Sequence, residues 1–388
     1  MIPISYSTRS LLVRKTTTAA AVLGIALVVF VMSAALMLSA GIKKTMGSSG
    51  SSDAAIVIRK GSDAELSSVI DVANVSLIKG APGVKKGSDG QPFGVAETIV
   101  VAAMEKIGVV GVTNVQLRGV DDNVMKFRSD VKIIEGVAAK PGTNEVLVGR
   151  AIRGRIKGLS LGETFELRKN RPAKVVGVFE DKGSSYESEV WVDGDTLRAA
   201  FNRTGVVSSV RVQLASPESF ESFRDMIEGD KRLGLEALRE TKYYENQSQA
   251  TATFVGVLGN TIAFFFAVGA MIGAMITMYA SVANRQREIG TLRALGFARR
   301  QILAAFVFEA VLISLIGGAI GTLGSLAMGA VKFSMMNFAS WSEIVFTFTP
   351  TVPILAFSMI FAGMMGLFGG LLPAVQAARV SAVNAMRS

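Results

Sequence analysis

Asp121 with Asp122, and Asp193 with Asp195, are the acid pairs whose closeness along the chain fits general acid/base work. They fall in Gly-rich segments, where neighbouring Asp residues bond their own backbone and make turns, and we read them as turn formers, with acid/base catalysis as the lesser alternative. The chain contains neither Cys nor His. Zinc sites of the Cys/His kind, disulfides, thiol nucleophiles and imidazole bases are therefore excluded, and we expect no catalytic residue and no metal site. No Gly is followed by Lys, so the phosphate-cradling loop G-x-x-x-x-G-K-S/T is absent too. Any ATP used would be bound by another polypeptide. The strongest concentration of charge is "ANRQREIGTLRALGFARRQI", which carries Arg285, Arg287, Arg293, Arg299 and Arg300 between two long apolar runs.

Those runs define the elements. In 388 residues the formal net charge is +10 and half the side chains are hydrophobic, which suits a membrane protein with a sizeable polar domain. Crossing a bilayer takes ~20 apolar residues at helical rise. Four segments qualify: 18–42, 250–284, 302–331 and 350–376. The first has the basic flank of a signal peptide, but its apolar centre, Ala19 to Leu38, exceeds the ~7–15 residues of a signal, so we read it as a retained helix. Glu245 and Arg285 bracket the second, a charge-free stretch longer than a bilayer core requires, and its polar start "NQSQATATF" marks an outer end that projects from the membrane. Positive charge in short segments lies inside. This places the N-terminus with Arg9, Arg14 and Lys15, the loop 285–301, and the tail 377–388 with Arg379 and Arg387 in the cytoplasm. Residues 43–249 are then extracytoplasmic, and 332–349, bounded by Lys332 and Glu343, form a short outer loop.

The extracytoplasmic segment opens with "GSSGSSD", read as a flexible polar linker. Strand-like runs follow, "AAIVIRKG", "VLVGRAI", "AKVVGVFE", "SEVWVD" and "SSVRVQLA". From Pro217, "PESFESFRDMIEGDKRLGLEALRE" puts Phe220, Phe223 and Ile227 on one helical face. The expected fold class is an α-helical membrane protein with four transmembrane helices plus an α+β extracytoplasmic domain inserted between helices 1 and 2. Its charges are scattered in both signs, with no basic groove for nucleic acid. No charge falls near the middle of a span, which counts against an ion-coupled transporter. Glu309, near the cytoplasmic boundary and about two and a half turns beyond Arg300, pairs with that Arg or caps a neighbouring helix. Gly269/Gly273, Gly317/Gly321 and Gly366/Gly370 recur at a spacing of four, which lets helix backbones approach closely, within one chain or across a dimer. In the basic loop Ile289, Leu292, Leu295 and Phe297 fall close to one helical face, with Arg287, Glu288 and Arg293 on others. That pattern describes a short surface helix, lying in headgroups or docking in a partner's groove. The simpler alternative is that its Arg residues only set orientation and touch anionic lipid.

The stretch from Val282 to Gly318 resembles the signature of the MacB/FtsX-type (type VII) ABC transporter permeases. In them R-x-R-E-I-G-x-x-R/K-A-x-G-A/F forms the cytoplasmic loop after the second span, and the third span opens with an E-A pair. Arg285, Arg287, Glu288, Ile289, Gly290, Arg293, Ala294 and Gly296 match, as do Glu309 and Ala310. The tail resembles the family's closing P-A-x-x-A-A/S-R-x-x-P-x-x-A-L/M-R through Pro373, Ala374, Ala377, Ala378, Arg379, Ala385, Met386 and Arg387, with Ala382 where Pro is usual. "VKIIEGVAAKPGTNEVLVGRAI" and "GLSLGETFELRKNRPAKVVGVFED" are similar, more loosely, to its extracytoplasmic domain.

The resemblance implies a non-catalytic permease subunit, dimeric or paired with a second permease, on two copies of a cytoplasmic ABC ATPase that carries the ATP and Mg. It implies that Arg285, Arg287, Glu288, Ile289, Gly290, Leu292, Arg293, Ala294, Leu295 and Gly296 dock on that ATPase. It implies that the long second helix transmits ATPase closure to the extracytoplasmic domain, driving efflux or export of a small or amphiphilic molecule. Residues 1–17, with Leu11 and Leu12 beside Arg14 and Lys15, would be an amphipathic helix at the inner leaflet. The expected location is the bacterial inner membrane; a periplasmic adaptor and an outer-membrane channel are left open. Within the family, lipoprotein extraction and cell-wall hydrolase regulation are alternatives, and outside it a membrane-anchored receptor or scaffold uncoupled from ATP.

Overall fold

A computed structural model describes residues 15–87 and 90–380. Most of the helix expected over 1–17, and Ala382, Ala385, Met386 and Arg387 of the tail motif, lie outside the described residues. In chain order the elements are α1 (Lys15–Gly47), β1 (Ala54–Arg59), β2 (Ile70–Asp71), α2 (Val75–Lys79), β3 (Gly94–Glu105), β4 (Val112–Val120), α3 (Val124–Phe127), β5 (Lys132–Gly136), β6 (Glu145–Gly149), β7 (Thr164–Arg168), β8 (Arg171–Glu180), β9 (Glu189–Asp193), α4 (Gly194–Ala200), β10 (Val206–Val207), β11 (Ser209–Gln213), α5 (Ser219–Gly229) and β12 (Leu235–Arg239). Then come α6 (Glu240–Asn284), α7 (Gln286–Ala294), α8 (Arg299–Leu326), β13 (Lys332–Asn337), β14 (Ser342–Thr347) and α9 (Val352–Arg379). The chain divides into a helical unit, 1–40, 253–331 and 348–388, and a sheet unit, 41–252 with 332–347.

Among the described residues four helices are long and apolar enough to cross a membrane: α1, α6, α8 with its 3-10 extension to Ala330, and α9. Glycine sets how closely three of them pack. A Cβ on Gly317 would come 2.8 Å from the carbonyl oxygen of Val22, and one on Gly321 would collide with that of Ala26, so α1 and α8 touch backbone to backbone. Gly366 and Gly370 do the same for α9, where a Cβ would strike Ser314 and Ala310 of α8. Ser33 of α1 donates to Ser358 of α9, Oγ to Oγ, at 2.7 Å. Gly269 and Gly273 differ: both are exposed and a Cβ on either would meet nothing. Among the described residues they make no close packing.

The sheet unit holds a ten-stranded mixed sheet in the order β12-β1-β11-β3-β4-β9-β6-β8-β5, with β7 on β8. Two cores result. Phe220, Phe223 and Ile227 of α5 pack on β1, β11 and β12, while β4, β6, β8 and β9 enclose Leu117, Val146, Val175 and Val190. Two expectations need correction, and the loop 332–349 gains a structure. The helix read from Pro217 stops at Gly229, and after Gly234, whose φ of +59° ends the turn, "LEALR" is an edge strand paired with β1. "GSSGSSD" is no flexible linker: Ser49 is buried and its Oγ meets that of Ser185 at 2.8 Å, and a Cβ on Gly50 would lie 2.9 Å from the Glu240 carbonyl oxygen. The segment 332–349 is a β-hairpin, β13 against β14, held to the sheet.

Candidate coupling site

The basic loop folds as one short helix, α7, closed by a turn that its sequence dictates. Gly296 takes φ +90°, its N–H donates to Arg293 O at 3.2 Å, and Phe297 N–H donates to Leu292 O at 3.1 Å. That is the Schellman pattern, and the left-handed residue it needs is best supplied by Gly. The Arg293 guanidinium donates to Phe297 O at 3.0 Å across the same turn. Gln301 then bonds the Ala298 N–H at 2.9 Å and starts α8.

Arg285 fastens this helix to its neighbours. It is buried, donates to Glu288 at 3.1 Å and to Glu309 at 3.1 Å, and stacks 5.1 Å from the Phe306 ring centroid. Of the two roles read for Glu309, a pair with Arg300 or a contact that caps a neighbouring helix, the structure favours the second: Arg300 is exposed, and the buried Glu309 faces Arg285. Ile289 is fully buried with Met278, Val282, Ile302, Phe306, Ala374 and Ala377, and Gly290 is buried beside it. The apolar face expected to hold Ile289, Leu292, Leu295 and Phe297 together is split, because the turn carries Leu295 outward to 72% exposure. The exposed surface is thus Gln286, Arg287, Glu288, Thr291, Ala294, Leu295 and Gly296.

α6 runs unbroken from this hinge, 45 residues at ~1.5 Å each, to Glu240 in the sheet unit. There it meets a buried ion cluster that sequence reading missed. Arg118 contacts Glu65 at 3.1 Å, Glu97 at 2.6 Å and Glu189 at 2.6 Å. Arg211 contacts Glu65 at 2.7 Å, Glu240 at 2.9 Å and also Glu97. Arg128 contacts Glu97 at 3.0 Å and lies 3.9 Å from the Tyr186 ring centroid. Tyr244, one turn into α6, bonds the Tyr186 hydroxyl and receives Arg211 at 3.2 Å. Burial works to raise the Glu65 carboxyl, but Arg118 and Arg211 outweigh it and hold it well below the usual carboxylate range. Burial is likewise overcome at Glu97, held at about 2 by Arg128, Arg211 and Arg118. A signal was present in the sequence: Arg211, Glu97 and Arg118 each interrupt an apolar strand, β11, β3 and β4, and the sheet places those strands side by side.

The β13–β14 hairpin is fixed to the same unit. Val345 enters the core with Leu117 and Val190, and its N–H donates to Ser188 Oγ at 3.0 Å. Glu343 pairs with Lys106 at 2.6 Å and bonds Thr113. Two members of the acid pairs have partners within the fold. Asp121 bonds Lys79 and the Ala96 N–H, and Asp193 caps α4 through the Thr196 N–H. No group of acids that could hold a metal occurs among the described residues.

Residues 18–229 match the family model of the MacB-like periplasmic core domain, and residues 260–382 that of the FtsX-like permease C-terminal region. The chain is similar to the uncharacterized ABC transporter permease YvrN of Bacillus subtilis (strain 168), 28% identical over 99% of this chain and 96% of that protein. It is also similar to the macrolide export ATP-binding/permease protein MacB of Escherichia coli (strain K12), 32% identical over 56% of this chain and 34% of that protein. The chain therefore spans about a third of the MacB relatives it matches. Among solved structures, the periplasmic region of MacB from Actinobacillus actinomycetemcomitans aligns with a TM-score of 0.37 at 13% identity, covering 49% of this chain and 90% of that one. The extracellular domain of YknZ from Gram-positive bacteria aligns with 0.36 at 19% identity, covering 48% and 99%.

Proposed function

Since the chain belongs to the MacB/FtsX-type family of ABC transporter permeases, we propose that it couples ATP hydrolysis on a separate cytoplasmic ATPase to movement of its sheet unit outside the inner membrane. The work done is efflux or export of a small or amphiphilic molecule. The observation that carries this reading is the continuity of α6, one helix from the hinge at Arg285 to the buried cluster at Glu240. A push on α7 reaches α6 through Arg285, Glu288, Glu309 and the packing of Ile289. At the other end, Glu240 and Tyr244 are held by Arg211 inside the sheet unit, so the helix cannot move without pulling on β11 and its neighbours. Two such chains, or this chain and a second permease, would stand on two ATPases that bind ATP and Mg.

Arg287 and Leu295 are the docking residues to test, because both are exposed. Arg287→Glu with Leu295→Asp is expected to leave membrane insertion intact and to abolish stimulated ATP turnover when the chain is co-expressed with a cytoplasmic ABC ATPase that co-purifies with it and the complex is placed in nanodiscs. Unchanged association and turnover in that variant would make the basic loop an orientation signal and return the receptor or scaffold reading to the front.

A further inference from the structure

A polar cavity of about 310 Å³ lies wholly within the sheet unit, and its walls include the loop 48–51, residues 127–130, Asp181, Tyr186, Gln213 and Glu240. That volume is in the ~300–1,000 Å³ range of small-molecule pockets. The loop is held in place by the fold itself. Ser49 Oγ and Ser185 Oγ lie 2.8 Å apart, Ser51 N–H donates to Glu240 Oε2 at 3.0 Å, and a Cβ at position 50 would lie 2.9 Å from the Glu240 carbonyl oxygen. A wall already formed loses little freedom when something binds against it.

Arg128 is 8% exposed, and among the described residues its hydrogen bonds run only from Nη2 to Glu97, at 3.0 and 3.3 Å. Nη1 stands 3.6 Å from Glu240, beyond hydrogen-bond reach, and Nε has no partner. A guanidinium so enclosed and so little bonded costs stability unless something supplies acceptors. Asp181, 7% exposed, takes Ser184 Oγ on Oδ2 at 2.6 Å, which leaves Oδ1 for another donor. Gln213 adds an amide that both donates and accepts. The charges select against an ion. An anion brought to Arg128 would meet Asp130, Asp181 and Glu240 in the same walls. A cation would meet carboxylates already taken, Asp130 by Lys182 at 2.6 Å and Glu240 by Arg211 at 2.9 Å, while burial pushes the Asp181 carboxyl above its ordinary range. What fits is an uncharged molecule whose groups donate and accept alike, as hydroxyls do.

We infer that this cavity binds a small polyhydroxyl compound, of the sugar or sugar-alcohol class. Arg128 Nη1 donates to one hydroxyl, Asp181 Oδ1 accepts from another, and the Gln213 amide orients a third. Phe127 supplies an apolar wall for the C–H face of the ligand. Glu240 is the first residue of α6, so the ligand lies against the start of that helix. This inference does not depend on ATP coupling or on what is exported.

Trp191 lies edge-on to Tyr186, 6.0 Å between ring centroids, and so reports on the cavity wall; Trp341→Phe leaves it as the single tryptophan. That full chain, in nanodiscs, would be titrated with glucose, galactose, N-acetylglucosamine and mannitol, and in parallel with glycine, glutamate and inorganic phosphate. The expected result is a saturable change in Trp191 emission and a ligand-observed saturation-transfer NMR signal with at least one of the four neutral compounds, and neither with the three charged ones. Gln213→Ala should weaken that binding several-fold and Arg128→Gln about tenfold or more. Arg128→Gln also takes a partner from Glu97, so if that variant does not fold, Gln213→Ala, outside the ion cluster, carries the test. Three results would each overturn the inference: no saturable response to any of the four, equal or tighter binding of a charged compound, or binding that Gln213→Ala leaves unchanged.

Discussion

Glu97→Gln should destabilise the sheet unit by about 3–5 kcal/mol, the cost of removing one partner from a buried ion pair. Glu97 has no exposed surface, and its carboxylate takes bonds from Arg118 at 2.6 Å, Arg128 at 3.0 Å and Arg211. Glutamine keeps the shape but drops the charge and turns an NH2 toward guanidiniums that can only donate. Three Arg then face Glu65, Glu189 and Glu240 with one carboxylate fewer in a site that water does not screen. For a unit of this size each kcal/mol shifts the melting temperature by about 2–4 °C, so the expected fall is roughly 6–20 °C. Trp191 reports on it directly, because it is buried and its indole N–H donates to Glu189 at 3.2 Å. With Trp341→Phe removing the other tryptophan, thermal melts of the full chain in detergent follow Trp191 alone. Glu221→Gln is the control, since its pair with Arg224 is exposed and worth at most about 1 kcal/mol. If Glu97→Gln melts within a few degrees of the control, the cluster is not a buried network of charges and the grip on α6 has to be explained otherwise.

The same carboxylates fix the sign of the pH response. Glu65 and Glu97 titrate in the folded chain below their ordinary value of 4.5, so the stability they contribute is whole above that pH and is lost as pH falls toward about 2. Burial raises Asp181 and Glu189, which opposes the trend in part. Melting temperatures of the full chain should therefore fall as pH drops below 4.5, and a rise would refute the assignment. Gly321→Val should lower the yield of folded protein in detergent, because a side chain there meets the Ala26 carbonyl, whereas Gly273→Val should fold normally. A Gly273→Val chain that folds but no longer pairs, read by light scattering, would place the partner permease on that face of α6.

Much of the helical unit could be read in the sequence because hydropathy and helical rise leave few choices for a charge-free run bounded by Arg and Lys. A short helix in the basic loop was legible, but its stop at Gly296 was not: the face expected to join Leu295 and Phe297 to Ile289 is split by the left-handed turn there. What escaped was what depends on distant pairing. Leu235–Arg239 has the composition of a helix and becomes a strand because β1 offers it an open edge. The serines after Gly47 look like a linker until Ser185 gives Ser49 a partner. Glu309 had two Arg within reach along the chain, and only packing around Phe306 selects Arg285 over Arg300. Glu65, Glu97, Arg118 and Arg211 come from four separate segments, and no local pattern announces that they converge.

The hairpin between α8 and α9 has a consequence for the order of folding. The sheet unit is built from two stretches, 41–252 and 332–347, that are separated by residues 253–331 of the helical unit. Val345 fills the core beside Leu117 and Val190, and Glu343 pairs with Lys106, so residues that follow α8 in the chain complete a core begun before α6. The sheet unit therefore closes only after α6, α7 and α8 have left the ribosome.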